Sequence, residues 1–541
     1  MKAKYIRTHL HIAIGAIALA LTLSLSACTN DTSTTGTAET AVETAVENTD
    51  AAADSGSTAE HIALTADDIT INDTIENSED GGHAINVDGE EASYSNTAIE
   101  KTGESDGDEA DFFGENAAVF ATNGATLTIS ESRLHSNGTH ANGIFSYGDG
   151  TTVNVSDSLI ETEGNCSGGL MTTGGGTMNA ENVTIHTSGN SSAAIRSDRG
   201  GGTVNVTKSY ATTSGIGSPA IYSTADITVS DSYLESDGSE GIVIEGKNSV
   251  TLENVDLVAN QTKTNSDKSD NLHGVMIYQS MSGDAAEGLS SFTMTDGTLI
   301  NKNGDVFFIN NTACDINLTN AVITNEDADG LFLRAAAAGW GREGANGGQV
   351  NLNASGQTID GNIVADDISV LNMYLKDGSS FTGAINSDGA AGEVYVELDA
   401  DSTWTLTGDS SISSLTCDAD SIDLNGHTLY VDGEKYDAGT ASKGDAIEIT
   451  IKEGNGMPGE PPADGMGPNG GQKPDGNGKP GDGQTPPQKP DGNDKPGDGQ
   501  TPPERPEGFG DGQTPPELPE GMEPGQAPNG QPPEKPGENA Q

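Results

Sequence analysis

Short apolar-polar alternations recur along the middle of this chain at a nearly fixed interval, and that periodicity restricts the fold more than any other feature. One strand type reads TLTIS, TVNVS, TMNAE, TVNVT, DITVS and SVTLE. Its second apolar position falls at Ile129, Val155, Ala180, Val206, Val229 and Leu252, in steps of 26, 25, 26, 23 and 23 residues. A second type reads AVFA, GIFS, GLMT, AIRS, AIYS and GIVI, led by Val119, Ile144, Leu170, Ile195, Ile221 and Ile242 in steps of 25, 26, 25, 26 and 21. Such a period, holding several strands of four or five residues with Gly, Asn, Ser and Asp at the corners, is one coil of a β-solenoid. A lone coil cannot bury its inward face, but stacked coils bury a continuous Ile/Val/Leu column with few aromatics. This accounts for a chain of 541 residues with only 4% aromatic and 33% hydrophobic content, too thin for several compact globular domains.

We expect regular coils over residues 61–349 and degenerate, capping coils over 350–432, where the spacing in ISVLNMYL, EVYVEL and STWTLTG becomes irregular. Three excursions interrupt the period. The step from Ile242 to Val275 is 33 residues, which places an insertion near 259–273. The stretch Ser280 to Ser290 separates GVMIYQ from SFTMT, and AAAAGWGREGANGG follows Arg334. The repeat pattern resembles the right-handed parallel β-helix proteins of pectin-lyase-like fold, in particular secreted bacterial members of unassigned function. That resemblance implies an all-β, right-handed parallel β-helix. It implies architecture rather than activity.

The two ends read differently from the body. Residues 1–28 run from Lys2, Lys4 and Arg7 through an apolar stretch into Leu25-Ser26-Ala27-Cys28, a lipoprotein-type export signal resembling the bacterial lipobox. Cys28 is then an acylated anchor to the cell-envelope membrane, with the body outside the cytoplasm. Residues 29–60 are a Thr/Ala-rich flexible tether. All prolines but Pro219 lie at or after Pro458, so residues 433–541 read as a linker and a disordered, acidic Pro/Gly-rich tail. With 24 Lys and Arg against 83 Asp and Glu, the formal charge of −59 excludes nucleic acid as a partner. Cys166, Cys314 and Cys417 are odd in number and widely spaced, so no disulfide framework is expected.

Parity in the second strand type follows from Arg196, which must face out if Ile195 faces in. Its outward neighbours are then Phe120, Phe145, Met171, Tyr222, Val243, Met276 and Phe332, with Tyr147, Tyr278 and Arg334 two residues further on. A bare row of this kind is an interaction surface for sugar rings unless loops, the tail or a second copy cover it. Of the seven arginines, Arg196, Arg199, Arg334 and Arg342 lie in or just after this strand type. They form an edge suited to the carboxylates of an acidic polysaccharide, or one paired with neighbours such as Asp198. The ligand-binding candidates are therefore Arg196, Arg199, Tyr222, Tyr278, Phe332, Arg334, Trp340 and Arg342. Outward Thr, Asn and Ser positions of the first strand type read as a solvated face.

No cofactor is expected apart from a weak Ca²⁺ candidate. Asn325, Asp327 and Asp329 alternate like an EF-hand loop, but position twelve is Ala336, so a polar turn is the competing reading. His135, His186 and His273 read as surface residues. The function expected is a lipid-anchored, adhesin-like module binding a polysaccharide or a surface protein. An acidic-polysaccharide lyase or glycoside hydrolase stands second, although GHG, RIK and WxDH segments are absent from the sequence. A structural spacer stands third. Cys28→Ser should release the protein into the medium or leave it unprocessed, and a variant fractionating with membranes like the parent contradicts the anchor.

Overall fold

In a computed structural model, residues 61–105, 109–264 and 266–452 are described, and the periodic region is a parallel β-helix. Cys28, the 29–60 tether and the tail beyond 452 lie outside the described residues. The first strand type stacks in the expected register, Ile129 on Val155, Ala180, Val206, Val229 and Leu252 in turn. The second stacks Val119 on Ile144, Leu170, Ile195, Ile221 and Ile242, and forms a separate 11-stranded sheet. These are the first and second faces of each coil. A third face, not traced in the sequence, consists of short strands such as Arg133–Ser136, Tyr210–Thr213, Tyr233–Asp237 and Asp256–Asn260. Its inward column runs through Leu134, Ile160, Ile185, Ala211, Leu234 and Leu257. Two strands, Thr152–Thr162 and Gly176–Thr187, turn the corner from first face to third, so both faces count as one 21-stranded sheet.

That corner is built from residues that accept a left-handed backbone. Asn96, Glu131, Asp157, Asn182, Lys208, Asp231, Asn254, Asp296 and Asn320 occupy it in successive coils, with φ between 46° and 57°. Asn and Asp dominate because their short polar side chains tolerate this conformation best. Just past the corner a buried hydroxyl replaces the carbonyl acceptor: the Ser132 amide donates to Ser158 Oγ at 3.1 Å, and the Ser209 amide to Ser232 Oγ at 3.0 Å. In these coils the backbone donor at the bend is thereby satisfied.

Beyond residue 350 the coils persist but shorten. Leu352, Met373, Val396 and Leu415 occupy one column at steps of 21, 23 and 19 residues, which explains the irregular spacing seen in the sequence. Trp404 is wholly buried there, stacked on Phe381 at 5.6 Å, and its indole N–H donates to the Gly383 carbonyl at 2.9 Å. An antiparallel pair, Leu429–Val431 with Glu434–Lys435, follows the last coils and leaves less open parallel edge at that end. Of the residues expected as linker, 433–436 complete this end of the fold and 444–452 run along the outside of the first face. The Ile447 amide donates to Asn372 Oδ1 at 2.9 Å, and Lys452 Nζ donates to Asn311 Oδ1 at 2.7 Å. Among the described residues no helix is long and apolar enough to cross a membrane.

One orientation expected from alternation is corrected. Phe332 does not face outward; it is 1% exposed, in the main core, with its ring 5.5 Å from that of Phe307. The strand begins only at Leu333, so Phe332 sits at the bend where alternation lapses and two consecutive residues face in. Pairing of Phe308 with Arg334 puts Arg334 in the outward column instead. Phe332→Ala should accordingly cost about 3–5 kcal/mol, as removal of a core ring does. Calorimetry checks this, and a change as small as that of a surface substitution contradicts the placement.

Candidate functional site

Along the second face the outward column is Phe120, Phe145, Met171, Arg196, Tyr222, Val243, Met276, Phe308 and Arg334. It is apolar enough to need a cover, and the chain supplies two. At the N-terminal half, the short helix Glu109–Phe113 and the residues after it pack Ala117 against Phe145 and Met171. Gly114 permits this close approach: its φ is 70°, and a Cβ there would stand 2.8 to 2.9 Å from the rings of Phe120 and Phe145. Thr173 Oγ1 donates to the Phe112 carbonyl at 2.7 Å and fixes the flap. The expected bare stripe is therefore largely covered, and the loop-covered alternative is the one observed.

The second cover is made by two of the excursions, which meet over the column, while the third packs beside them on Glu245 and Lys247. The Gly339 amide donates to the Lys268 carbonyl at 2.7 Å, joining the loop after Arg334 to the insertion before His273. The Lys247 amide donates to the Ala286 carbonyl at 3.0 Å, tying in the stretch between Ser280 and Ser290. Asn346 shapes the Trp340 loop by donating to the carbonyls of Ala338 and Trp340 at 2.7 and 2.8 Å. Trp340 then meets Tyr278 edge to face at 5.2 Å, with Lys268 Nζ 5.9 Å from the indole.

Between cover and sheet lies a small cleft of about 90 Å³, below the usual range of enclosed small-ligand sites, so a ligand would meet it at its ring-lined mouth. Tyr222, Met276, Tyr278 and Trp340 give it ring and thioether walls, while Glu240, Gln261 and His273 supply polar groups. Glu240 accepts from Gln261 Nε2 at 2.7 Å and from Ser239 Oγ at 2.6 Å, with His273 Nε2 at 3.6 Å. His273 was expected at the surface, but it is 2% exposed and stacked on Phe308 at 4.8 Å, and burial lowers its pKa so that the imidazole is neutral. Behind the rings, Glu245 Oε2 accepts from the Tyr222 hydroxyl at 2.5 Å and the Tyr278 hydroxyl at 3.0 Å, and Ser280 donates to Oε1. Burial raises the Glu245 carboxyl above the usual range against the pull of these three hydrogen bonds, and Asp284 adds repulsion.

The predicted site residues thus divide. Tyr222, Tyr278 and Trp340 share the cleft; Phe332 lies in the core. Three of the arginines are engaged. Arg196 pairs with Asp198 at 3.0 Å and Asp111 at 3.5 Å, Arg199 with Asp284 at 2.5 Å and the face of Phe112, and Arg334 with Asp305 at 2.5 Å. Burial, outweighing Arg196, pushes the Asp198 carboxyl up to about 7, with Asp284 and Asp111 adding repulsion. Arg342 is exposed on the Trp340 loop. Asn325 and Asp327 are spent within a polar turn: Asn325 Oδ1 accepts from Asn301 at 3.1 Å and the Asp327 amide at 3.2 Å, and Asp327 accepts from the amides of Gly304 and Asp329 at 2.8 and 3.0 Å. Those amide bonds hold the Asp327 carboxyl below its ordinary value, and Asp329 is exposed. Glu240, Glu245 and Gln261 were missed by sequence reasoning. Carboxylates are too numerous for any one to stand out, although Glu245 sits at the end of the GIVI strand, where its register was readable.

No protein-family model matches this chain, and no curated protein or solved structure does either.

The raised Glu245 carboxyl has a pH consequence. The folded state holds its proton more tightly than the unfolded chain, so its contribution to stability is full below about 4.5 and is lost as pH rises through the folded value. Glu245→Gln keeps the tyrosine acceptor and removes the charge. Its melting temperature should gain on the parent as pH is raised from 4 upward, measured by calorimetry at matched ionic strength. A difference independent of pH contradicts a proton held at this site.

Proposed function

We propose that the chain is an exported, lipid-anchored surface protein of the pectin-lyase-like β-helix kind that binds, without cleaving, a neutral sugar residue of a glycan in the Tyr222/Tyr278/Trp340 cleft. The observation that carries this reading is the composition of the cleft. Rings stand partly exposed beside the buried, hydrogen-bonded pair Glu240 and Gln261 and the buried His273, the pairing of apolar face and polar groups that a pyranose offers in complement. An acidic polymer fits less well. Arg196, Arg199 and Arg334 already hold carboxylates, no arginine lines the cleft, and a charge of −59 repels polyanions. The Cys28 anchor and the tether and tail would present the body at a distance from the membrane.

The test is retention of the full-length protein on a panel of immobilised neutral, amino and uronate polysaccharides, with the eluate assayed for new reducing or unsaturated ends. Retention on neutral glycans that changes little with salt is expected, because ring stacking is not screened. Trp340→Ala and Tyr278→Ala should each weaken it by about tenfold, equivalent to about 1.4 kcal/mol. Salt-sensitive retention on uronates alone, or any product formation, overturns the reading.

A further inference from the structure

Away from the cleft, the corner between the third and second faces carries another left-handed column. His140, Cys166, Ser191 and Gly217 follow one another in successive coils with φ of 54°, 56°, 56° and 65°. Each of the first three donates its amide to the next coil, at the carbonyls of Asn165, Asn190 and Ile216. Because coils stack at about 4.8 Å, the side chains of His140 and Cys166 lie one above the other. The flap helix Glu109–Phe113 lays the buried Asp111 across them. One ligand atom from each of the three lies within 4.8 Å of the others, and His140 Nδ1 is 3.0 Å from Asp111 Oδ1.

We propose that Asp111, His140 and Cys166 form a binding site for a divalent transition-metal ion of the zinc class. Thiolate, imidazole and carboxylate are the donors such ions take, whereas Ca²⁺ and Mg²⁺ require oxygen ligands. Donors bound tetrahedrally at about 2.0–2.3 Å stand roughly 3.3–3.6 Å apart, so the cluster reaches this geometry by side-chain shifts of about an ångström. Three protein ligands leave a fourth position for solvent.

The surrounding charge also accommodates a cation. Asp111, Asp198 and Asp284 face two guanidiniums, Arg196 and Arg199, so carboxyl groups outnumber the fixed cations beside the cluster. Binding exchanges the Cys166 thiol proton, released to solvent, for the metal. The bound ion would tie the flap to two coils at once. This inference is independent of the cleft.

The experiment is a Co²⁺ titration of the chelator-treated full-length protein, followed spectroscopically, with Zn²⁺ as competitor. One equivalent should bind with a near-ultraviolet thiolate-to-cobalt band. Zn²⁺ should displace it, Cys166→Ser should abolish it, and His140→Ala should weaken uptake by roughly tenfold or more. The thiolate band separates this site from adventitious binding to the many surface carboxylates. Zn²⁺ should also slow alkylation of Cys166 in the unaltered protein, a readout that needs no variant to fold. Absence of the band, or alkylation indifferent to Zn²⁺, overturns the proposal.

Discussion

Everything in this molecule depends on the parallel ladder between coils. Once Ile195 pairs with Leu170 on one side and Ile221 on the other, a slip of one residue would turn every inward side chain of that strand to solvent. The register is therefore rigidly specified, and a coil with surplus residues must expel them outward at a corner. The insertion before His273 illustrates this. Val275 still stacks on Ile242, although 33 residues separate them, and the extra chain leaves the barrel wall. Functional surface in such a fold is consequently built from what the ladder rejects.

That physical division also decides what could be read from the sequence. The two traced columns were legible because each strand repeats an apolar residue two positions apart under a fixed period. The third face was not, since strands such as Tyr210–Thr213 hold one small inward residue, Ala211, among polar neighbours. Phe332 was misassigned because alternation was carried one residue past the end of a strand. The cleft was half legible. Tyr222, Tyr278 and Trp340 followed from parity and from the long excursion, but Glu240, Gln261 and His273 lie at strand ends and corners where period-2 reasoning has no purchase. The Asp111, His140 and Cys166 cluster was invisible for a different reason. Its members come from a flap and two coils, and only the stacked corner brings them together.

The charge distribution has the same two-level logic. A chain this acidic gains little from surface ion pairs, whose worth is about 0–1 kcal/mol each. Arg196 and Arg334 are instead placed on the outward column, half under its covers, where each meets a buried aspartate. Their aliphatic stems extend the apolar column while their heads neutralise carboxylates that the covers would otherwise strand. The arginine edge read from the sequence is real as a location, but its geometry is that of fasteners between sheet and loops.

The consequence for function concerns where change can occur. The ladder is cooperative along the coil axis and has no soft internal joint among the described strands, so a ligand gains little by distorting it. The two covers are different. Each is held by a few contacts: Thr173 to Phe112, Asp111 to His140 and Arg196, and Arg199 over Phe112 for the flap, and the Asn346 bonds, the Gly339 to Lys268 backbone bond and the Tyr278 to Trp340 contact for the cleft. Arg199 touches both, since its guanidinium lies over Phe112 while its ion pair reaches into the excursion that also carries Ser280, a partner of Glu245. Coupling between the flap and the cleft has two routes, through Arg199 and Asp284 and through Arg196, which joins Asp111 to the neighbour of Tyr222, and both run across the outside of the solenoid rather than through its core.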